Sequence, residues 1–260
     1  MSDVIESSLG QWLAAHEEEL ITFRRHLHTH PEPSGQEHET TDFIRERLEV
    51  AGLEPRILSS GTGLICDIGL PDGPTVALRG DIDALEMEDE KDVHYRSQRS
   101  GVAHACGHDV HTTVVLGTGI YLAHRMEEIG GRVRLIFQPA EERVPGGALD
   151  VLADDGLAGV DAVLGVHCDP KLDVGKIGLR SGALTSAADF AELVLTGPGG
   201  HTARPELTVN MVEVASRLAI ELPPRVEAEL GDRGPMKLVF GSLHSGDAAN
   251  VIPTHARLRA

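Results

Sequence analysis

Residues 75–83 read Thr75-Val-Ala-Leu-Arg-Gly-Asp81-Ile-Asp83, and their order decides the fold class. Thr75–Leu78 is apolar enough to predict a strand buried on both faces, and it runs directly into two aspartates. The same design returns downstream. Val133–Phe137 predicts a second buried strand and leads into Gln138-Pro-Ala-Glu141-Glu142. Ala162–Val166 predicts another, ending at His167, and Leu64–Ile68 precedes them all, followed by a turn at Pro71-Asp72-Gly73. Helical spacing fills the gaps, from Asp109 to Met126 and over Ala148–Asp155. Strands alternating with helices imply an α/β domain with a mostly parallel sheet.

Upstream, an amphipathic helix is expected to about His30, with Leu9, Trp12, Leu13, Leu20, Phe23 and Leu27 near one face and Pro31 and Pro33 as its stop. Ser34-Gly-Gln-Glu37 has the form of a capping box for a second helix, which turns Phe43, Ile44, Leu48 and Ala51 inward and stops at Gly52. Downstream the pattern changes near Gly182. Phe190–Thr196 alternates as a half-exposed strand should, and Asn210–Leu222 reads as a helix ended by Pro223-Pro224. Met236–Leu243 reads as a strand, and Ala256–Arg259 as the start of one more. The β-α-β-β order suggests a small α+β domain. The expected division is a first domain over residues 1–182 and a second over 183–260.

Composition narrows the function. The 260 residues carry a formal net charge of −18, which repels phosphate backbones and anionic membranes and argues against nucleic-acid and membrane partners. Cys66, Cys106 and Cys168 leave one thiol over in any pairing, unlike a secreted disulfide scaffold. The first 20 residues have neither the basic nor the apolar region of a signal peptide, so a cytoplasmic location is expected. There are 14 histidines against 8 aromatic residues (5 Phe, 1 Trp, 2 Tyr), which points to metal or acid–base chemistry.

That chemistry gathers where ligands bind in open α/β sheets, beyond the carboxyl ends of the strands. Asp81/Asp83, Glu141/Glu142 and His167 each follow a predicted strand. Taken singly, each is more simply a helix cap, a solvated face or a structural histidine; three together at one sheet edge are harder to explain that way. The densest segment is Gly101-Val-Ala-His104-Ala-Cys106-Gly-His108-Asp109-Val-His111, at the start of a helix. Thiolate and imidazole suit borderline-soft divalent metals. A helix N-terminus would lower the Cys106 pKa, and Gly107 would let the backbone bend between Cys106 and His108. Glu141 and Glu142, on an extended segment after Pro139 and Ala140, would point to opposite sides, so that one binds metal and the other serves as a general base.

These residues fall in motifs that resemble a known family. Arg24-Arg-His-Leu-His-Thr-His-Pro-Glu32, Arg79-Gly-Asp-Ile-Asp-Ala-Leu85, His104-Ala-Cys-Gly-His-Asp-Val-His-Thr112, Phe137-Gln-Pro-Ala-Glu-Glu142, Gly165-Val-His167, Gly199-Gly-His-Thr-Ala-Arg-Pro205 and Asn250-Val-Ile-Pro253 span almost the whole chain. Together they resemble the di-metal amidohydrolases of the aminoacylase, carboxypeptidase G and indole-acetyl-amino-acid hydrolase group. The branch they look most like cleaves N-acyl amino acids and includes hippurate hydrolase. The resemblance implies a zinc-peptidase-like catalytic domain plus a ferredoxin-like lid and dimerisation domain. It implies two divalent metals, zinc or manganese, with cobalt or nickel as further candidates. Cys106, His108, Glu142 and His167 would be metal ligands, Glu141 the general acid/base, and Asp83 an orienting group for a ligand. Asp81 stands where other branches place a ligand histidine and would not be one here. His201 would steady the oxyanion across a homodimer, and Asn250 would contact the substrate carboxylate.

The implied reaction is hydrolysis of the amide bond of a small N-acyl amino acid by a metal-activated water. A dipeptidase or aminopeptidase of the same fold is the alternative, as is an inactive remnant that only binds metal or dimerises. Family members are longer. The chain is therefore expected to be truncated within the lid, to lack a last ligand histidine, and on its own to be poorly soluble with little hydrolase activity.

Overall fold

The run at Thr75 becomes the inside of a sheet. The computed structural model describes residues 2–70, 72–184, 188–231 and 236–260, with residues 2–7 as backbone only; Pro71 of the expected turn lies outside the described residues. The chain divides into two compact units, Met1–Lys176 and Ile177–Ala260.

In the first unit, helices α1 (Ser2–Thr29) and α2 (His38–Val50) precede strands β1 (Arg56–Ile57), β2 (Leu64–Gly69) and β3 (Thr75–Asp81). Helix α3 (His108–Ala123), strand β4 (Arg132–Gln138), helix α4 (Ala148–Ala153) and strand β5 (Ala162–Gly165) follow. The sheet order is β1-β2-β4-β3-β5. β4, β3 and β5 run parallel, and β2 and β1 join antiparallel at one side. The core forms where α1, α2 and α3 meet the sheet: Phe23, Ile44, Leu48, Leu64, Leu116, Leu135 and Phe137 are all buried there. Register sets the site. Asp81 pairs with Gln138 and Arg79 with Gly165, so the carboxyl ends of three strands lie level. Asp83, Glu141, Glu142 and His167 therefore leave the sheet at one edge.

The expected capping box does not form. Glu37 stands at the α2 N-cap without a side-chain cap bond, and Ser34 Oγ donates to Asp83 instead. Glu32 caps the helix in its place, its carboxylate accepting from Glu39 N–H (3.2 Å) and Thr40 N–H (2.8 Å). A carboxylate reaching back from the preceding turn satisfies the orphan donors as well as a local cap does.

In the second unit, strands β6 (Glu192–Thr196) and β7 (Gly200–His201) lead to helix α5 (Met211–Leu230) and strands β8 (Ser242–His244), β9 (Val251–Ile252) and β10 (His255–Arg259). β6-β10-β8 form one antiparallel sheet and β7-β9 another. Met211 and Ala215 of α5 bury against Ala256 and Leu258 of β10. Three expectations change here. Pro223-Pro224 lies inside α5 and does not end it. A proline's fixed φ is itself helical, and its cost falls on the preceding turn, so the well-formed run Arg225–Leu230 carries the helix on. The strand expected over 236–243 contracts to β8 at Ser242–His244. β10, expected as barely begun, is a full five-residue strand at the centre of its sheet. Its alternating burial of Ala256 and Leu258 is the period-2 pattern of a packed strand.

Candidate metal centre

His108 opens α3, and Gly107 before it takes a left-handed φ of +89°. A Cβ at Gly107 would lie 3.1 Å from both Cβ and Sγ of Cys168. Only glycine gives both the conformation and the room, so the bend between Cys106 and His108 depends on it. Asp83 fixes the His108 ring. Its Oδ1 accepts the Nδ1 proton at 3.1 Å, while its Oδ2 accepts from Ser34 Oγ (2.6 Å) and from Glu142 N–H (3.0 Å). One buried carboxylate thus sets both an imidazole and the backbone that carries a glutamate. Burial opposes a charge on Asp83, but the His108 and Ser34 hydrogen bonds outweigh it and hold its pKa below the usual range.

With Nδ1 engaged, His108 Nε2 is buried and has no hydrogen-bond partner. It lies 3.6 Å from Glu142 Oε1 and 3.9 Å from Glu141 Oε2. One ligand atom each from Cys106, His108 and Glu142 falls within a 4.8 Å cluster. His167 joins through its Nε2, 3.5 Å from Cys106 Sγ, because its Nδ1 is held by the Cys168 carbonyl at 2.8 Å. An orphaned imidazole nitrogen facing a thiol, a carboxylate and a second free imidazole is a donor set that fits a borderline divalent ion. Burial and then the Glu142 carboxylate push the Cys106 thiol up to about 12. Burial and the surrounding carboxylates thus act against the lowering expected from the helix N-terminus. Only a cation among these groups would favour the thiolate.

Asp81, His108 and His111 form a second acidic–imidazole group. Its His111 ring is already satisfied. His111 Nδ1 donates to Asp81 Oδ1 at 2.7 Å, and its Nε2 accepts Cys168 N–H at 2.8 Å. Both ring nitrogens are used, and the one ligating lone pair, on Nε2, is taken. Arg79 also pairs with Asp81 at 2.5 Å. His104 is buried without a partner, and burial drives its pKa down to about 4, so it is neutral.

The glutamate pair departs from expectation. Ala140 has a φ of +49°, so the segment is not extended. Both carboxylates consequently approach the same His108 nitrogen instead of pointing to opposite sides. Glu141 is the more exposed of the two (38% against 22%). Burial and the neighbouring Glu142 charge raise its pKa, which suits a group that takes and returns a proton.

Within the second unit, His201 pairs with Val251, and Thr202 N–H donates to Asn250 O at 3.2 Å, so His201 and Asn250 are neighbours. Ala203 N–H donates to His201 Nδ1 at 3.0 Å. The neutral ring then carries its proton on Nε2, as a donor. Sequence reading named Ser34, Glu37 and His111 but did not give them these supporting roles. The first two carried a signal, Ser-x-x-Glu, that also describes a helix cap.

Several known proteins are similar to this chain. The sequence model of peptidase family M20/M25/M40 matches residues 77–240. An N-acetyl-L-cysteine deacetylase of Bacillus subtilis is 40% identical over 242 residues, covering 93% of this chain and 58% of that protein. An N-acyl-L-amino acid amidohydrolase of Geobacillus stearothermophilus is 35% identical, covering 93% and 65%. The crystal structure of a dinuclear metal-binding peptidase of the M20 family from Bacillus subtilis superposes with a TM-score of 0.75 at 37% identity, covering 95% and 64%. The chain spans less than two thirds of the length of each of these relatives. Among the described residues, no helix is long and apolar enough to cross a membrane.

Proposed function

The chain belongs to peptidase family M20/M25/M40, and on that premise we propose that it forms the metal-binding part of an amidohydrolase that cleaves N-acyl amino acids. The observation that carries this reading is the buried, unpartnered Nε2 of His108, aimed at Cys106 and Glu142. Relatives named for N-acetylcysteine and N-acyl amino acids supply the substrate class. Cys106, His108, Glu142 and His167 would hold a pair of divalent ions, zinc or manganese. Bound there, the metal pair would polarise the scissile carbonyl and activate water.

The chain's own residues do the rest. Asp83 keeps the His108 proton on Nδ1, which leaves the Nε2 lone pair available to a metal. Glu141, with its raised pKa, accepts the proton of the attacking water and delivers it to the departing amine nitrogen. His201 Nε2–H is assigned to the oxyanion and Asn250 to the substrate carboxylate on the motif resemblance. The second unit is assigned a lid and homodimer role on the same ground, which sedimentation would test.

The test is release of free amino acid from N-acetyl and N-benzoyl substrates by the natural gene product. Release that needs a divalent ion and is lost on Glu141→Gln is expected. Release unaffected by chelation, or no release with any of zinc, manganese or cobalt, contradicts the proposal.

A further inference from the structure

Glu37 is fully buried, yet its side chain does no capping. Glu32 has taken the amides of α2, which leaves the Glu37 carboxylate to bond elsewhere. Its Oε1 accepts Ala140 N–H at 2.7 Å across 103 residues of sequence, and Gly35 N–H at 2.8 Å. Oε2 has no partner. Burying a carboxylate for two amide bonds is costly, so a buried group of this kind calls for a reason beyond local packing.

The reason lies at Ala140. It is buried and left-handed at φ +49°, a conformation that a Cβ disfavours and that persists only where the surroundings enforce it. The turn is held at its other end too: Gly147 N–H donates to Ala140 O at 3.0 Å. Arg143 lies over Gly35, where a Cβ would stand 2.5 Å from its Nη1. The left-handed residue is what brings both following carboxylates to His108.

We propose that Glu37 is a positioning residue: its carboxylate clamps the Ala140 peptide in the left-handed conformation and so aims Glu141 and Glu142 into the metal centre. This rests on reading Glu142 as a metal ligand, and Glu37 itself touches neither metal nor substrate. Ser34 and Glu37 then serve one purpose from one turn. Ser34 steadies Asp83, and Glu37 steadies the glutamate loop.

The experiment compares Glu37→Met, which keeps the volume and removes the acceptor, with Glu37→Gln, which keeps an acceptor oxygen. Two quantities are read: hydrogen exchange of the Ala140 amide in metal-free protein, and affinity for zinc. Glu37→Met should lose protection at Ala140 and bind zinc about 10–100-fold more weakly, and Glu37→Gln should keep both. Ala140→Gly, which tolerates the conformation without a clamp, should restore part of the affinity of Glu37→Met. Wild-type exchange and wild-type affinity in Glu37→Met overturn the proposal, as does a Glu37→Gln variant as impaired as Glu37→Met. If Glu37→Met fails to fold, Glu37→Met combined with Ala140→Gly is read in its place: lost protection of the residue-140 amide with weakened zinc affinity supports the proposal, and wild-type values of both overturn it. Unchanged zinc binding in Cys106→Ser would instead contradict the metal centre, while exchange at Ala140 still decides the role of Glu37.

Discussion

His108 gives its Nδ1 proton to Asp83, 3.1 Å away, and thereby leaves Nε2 as its one free ligand atom. The same Asp83 carboxylate holds Glu142 N–H and Ser34 Oγ. Asp83→Ala should therefore disturb two candidate ligands at once and weaken metal affinity by about 10–100-fold. Calorimetric titration with zinc checks this. Affinity equal to wild type would show that the ring is oriented by something else.

Glu141 and Glu142 both reach His108, but only Glu142 has its backbone tied to Asp83. Glu141→Gln is expected to keep metal and lose about 10²–10⁴-fold in kcat in the natural gene product. Glu142→Gln is expected to lose metal first. Metal content and turnover measured on both variants decide it, and the reverse pattern would exchange the two roles.

Gly107→Ala puts a Cβ into a left-handed position and against Cys168. The conformation alone costs about 1–2 kcal/mol. The melting temperature should fall, and metal affinity should fall with it, because Cys106 and His108 are spaced by that bend. A variant with lowered stability but unchanged affinity would separate the two effects.

Asp67 tests the electrostatics away from the site. Burial works against its ionisation, yet the Arg134 hydrogen bonds, with Arg132 beside them, hold its pKa below the usual range. A depressed folded pKa means the pair stabilises above the unfolded value of about 3.9, and that the gain is lost as pH falls towards the folded value. The pair is partly exposed, so Asp67→Asn should cost under about 1 kcal/mol at pH 7. Urea unfolding from pH 7 down to about 3 should show the gap between wild type and variant closing. A gap that widens on acidification contradicts the sign.

The sheet and its polar edge were legible because apolar runs of strand length each ended in a ligand-type residue. Thr75, Val133 and Ala162 mark strands whose ends lie level. Tertiary override was not legible. Ser34 and Glu37 read as a cap because local spacing cannot reveal Asp83 and Ala140, each far along the chain. Alternation failed at Glu141 because a non-glycine left-handed residue leaves no compositional mark. Pro223-Pro224 read as a stop because proline removes a helix donor, yet the helix runs on because their own φ is compatible with it.

The central claim is that Cys106, His108, Glu142 and His167 together form a divalent-metal centre. Cobalt(II) titration followed by absorption tests it most directly, since a thiolate-to-cobalt charge-transfer band arises only if a cysteine is a ligand, and its loss in Cys106→Ser singles out Cys106 from the other free thiols, Cys66 and Cys168. Wild-type protein should develop the band to saturation, and Cys106→Ser should bind cobalt more weakly without it. No band in wild type, or the same band in Cys106→Ser, would contradict the account.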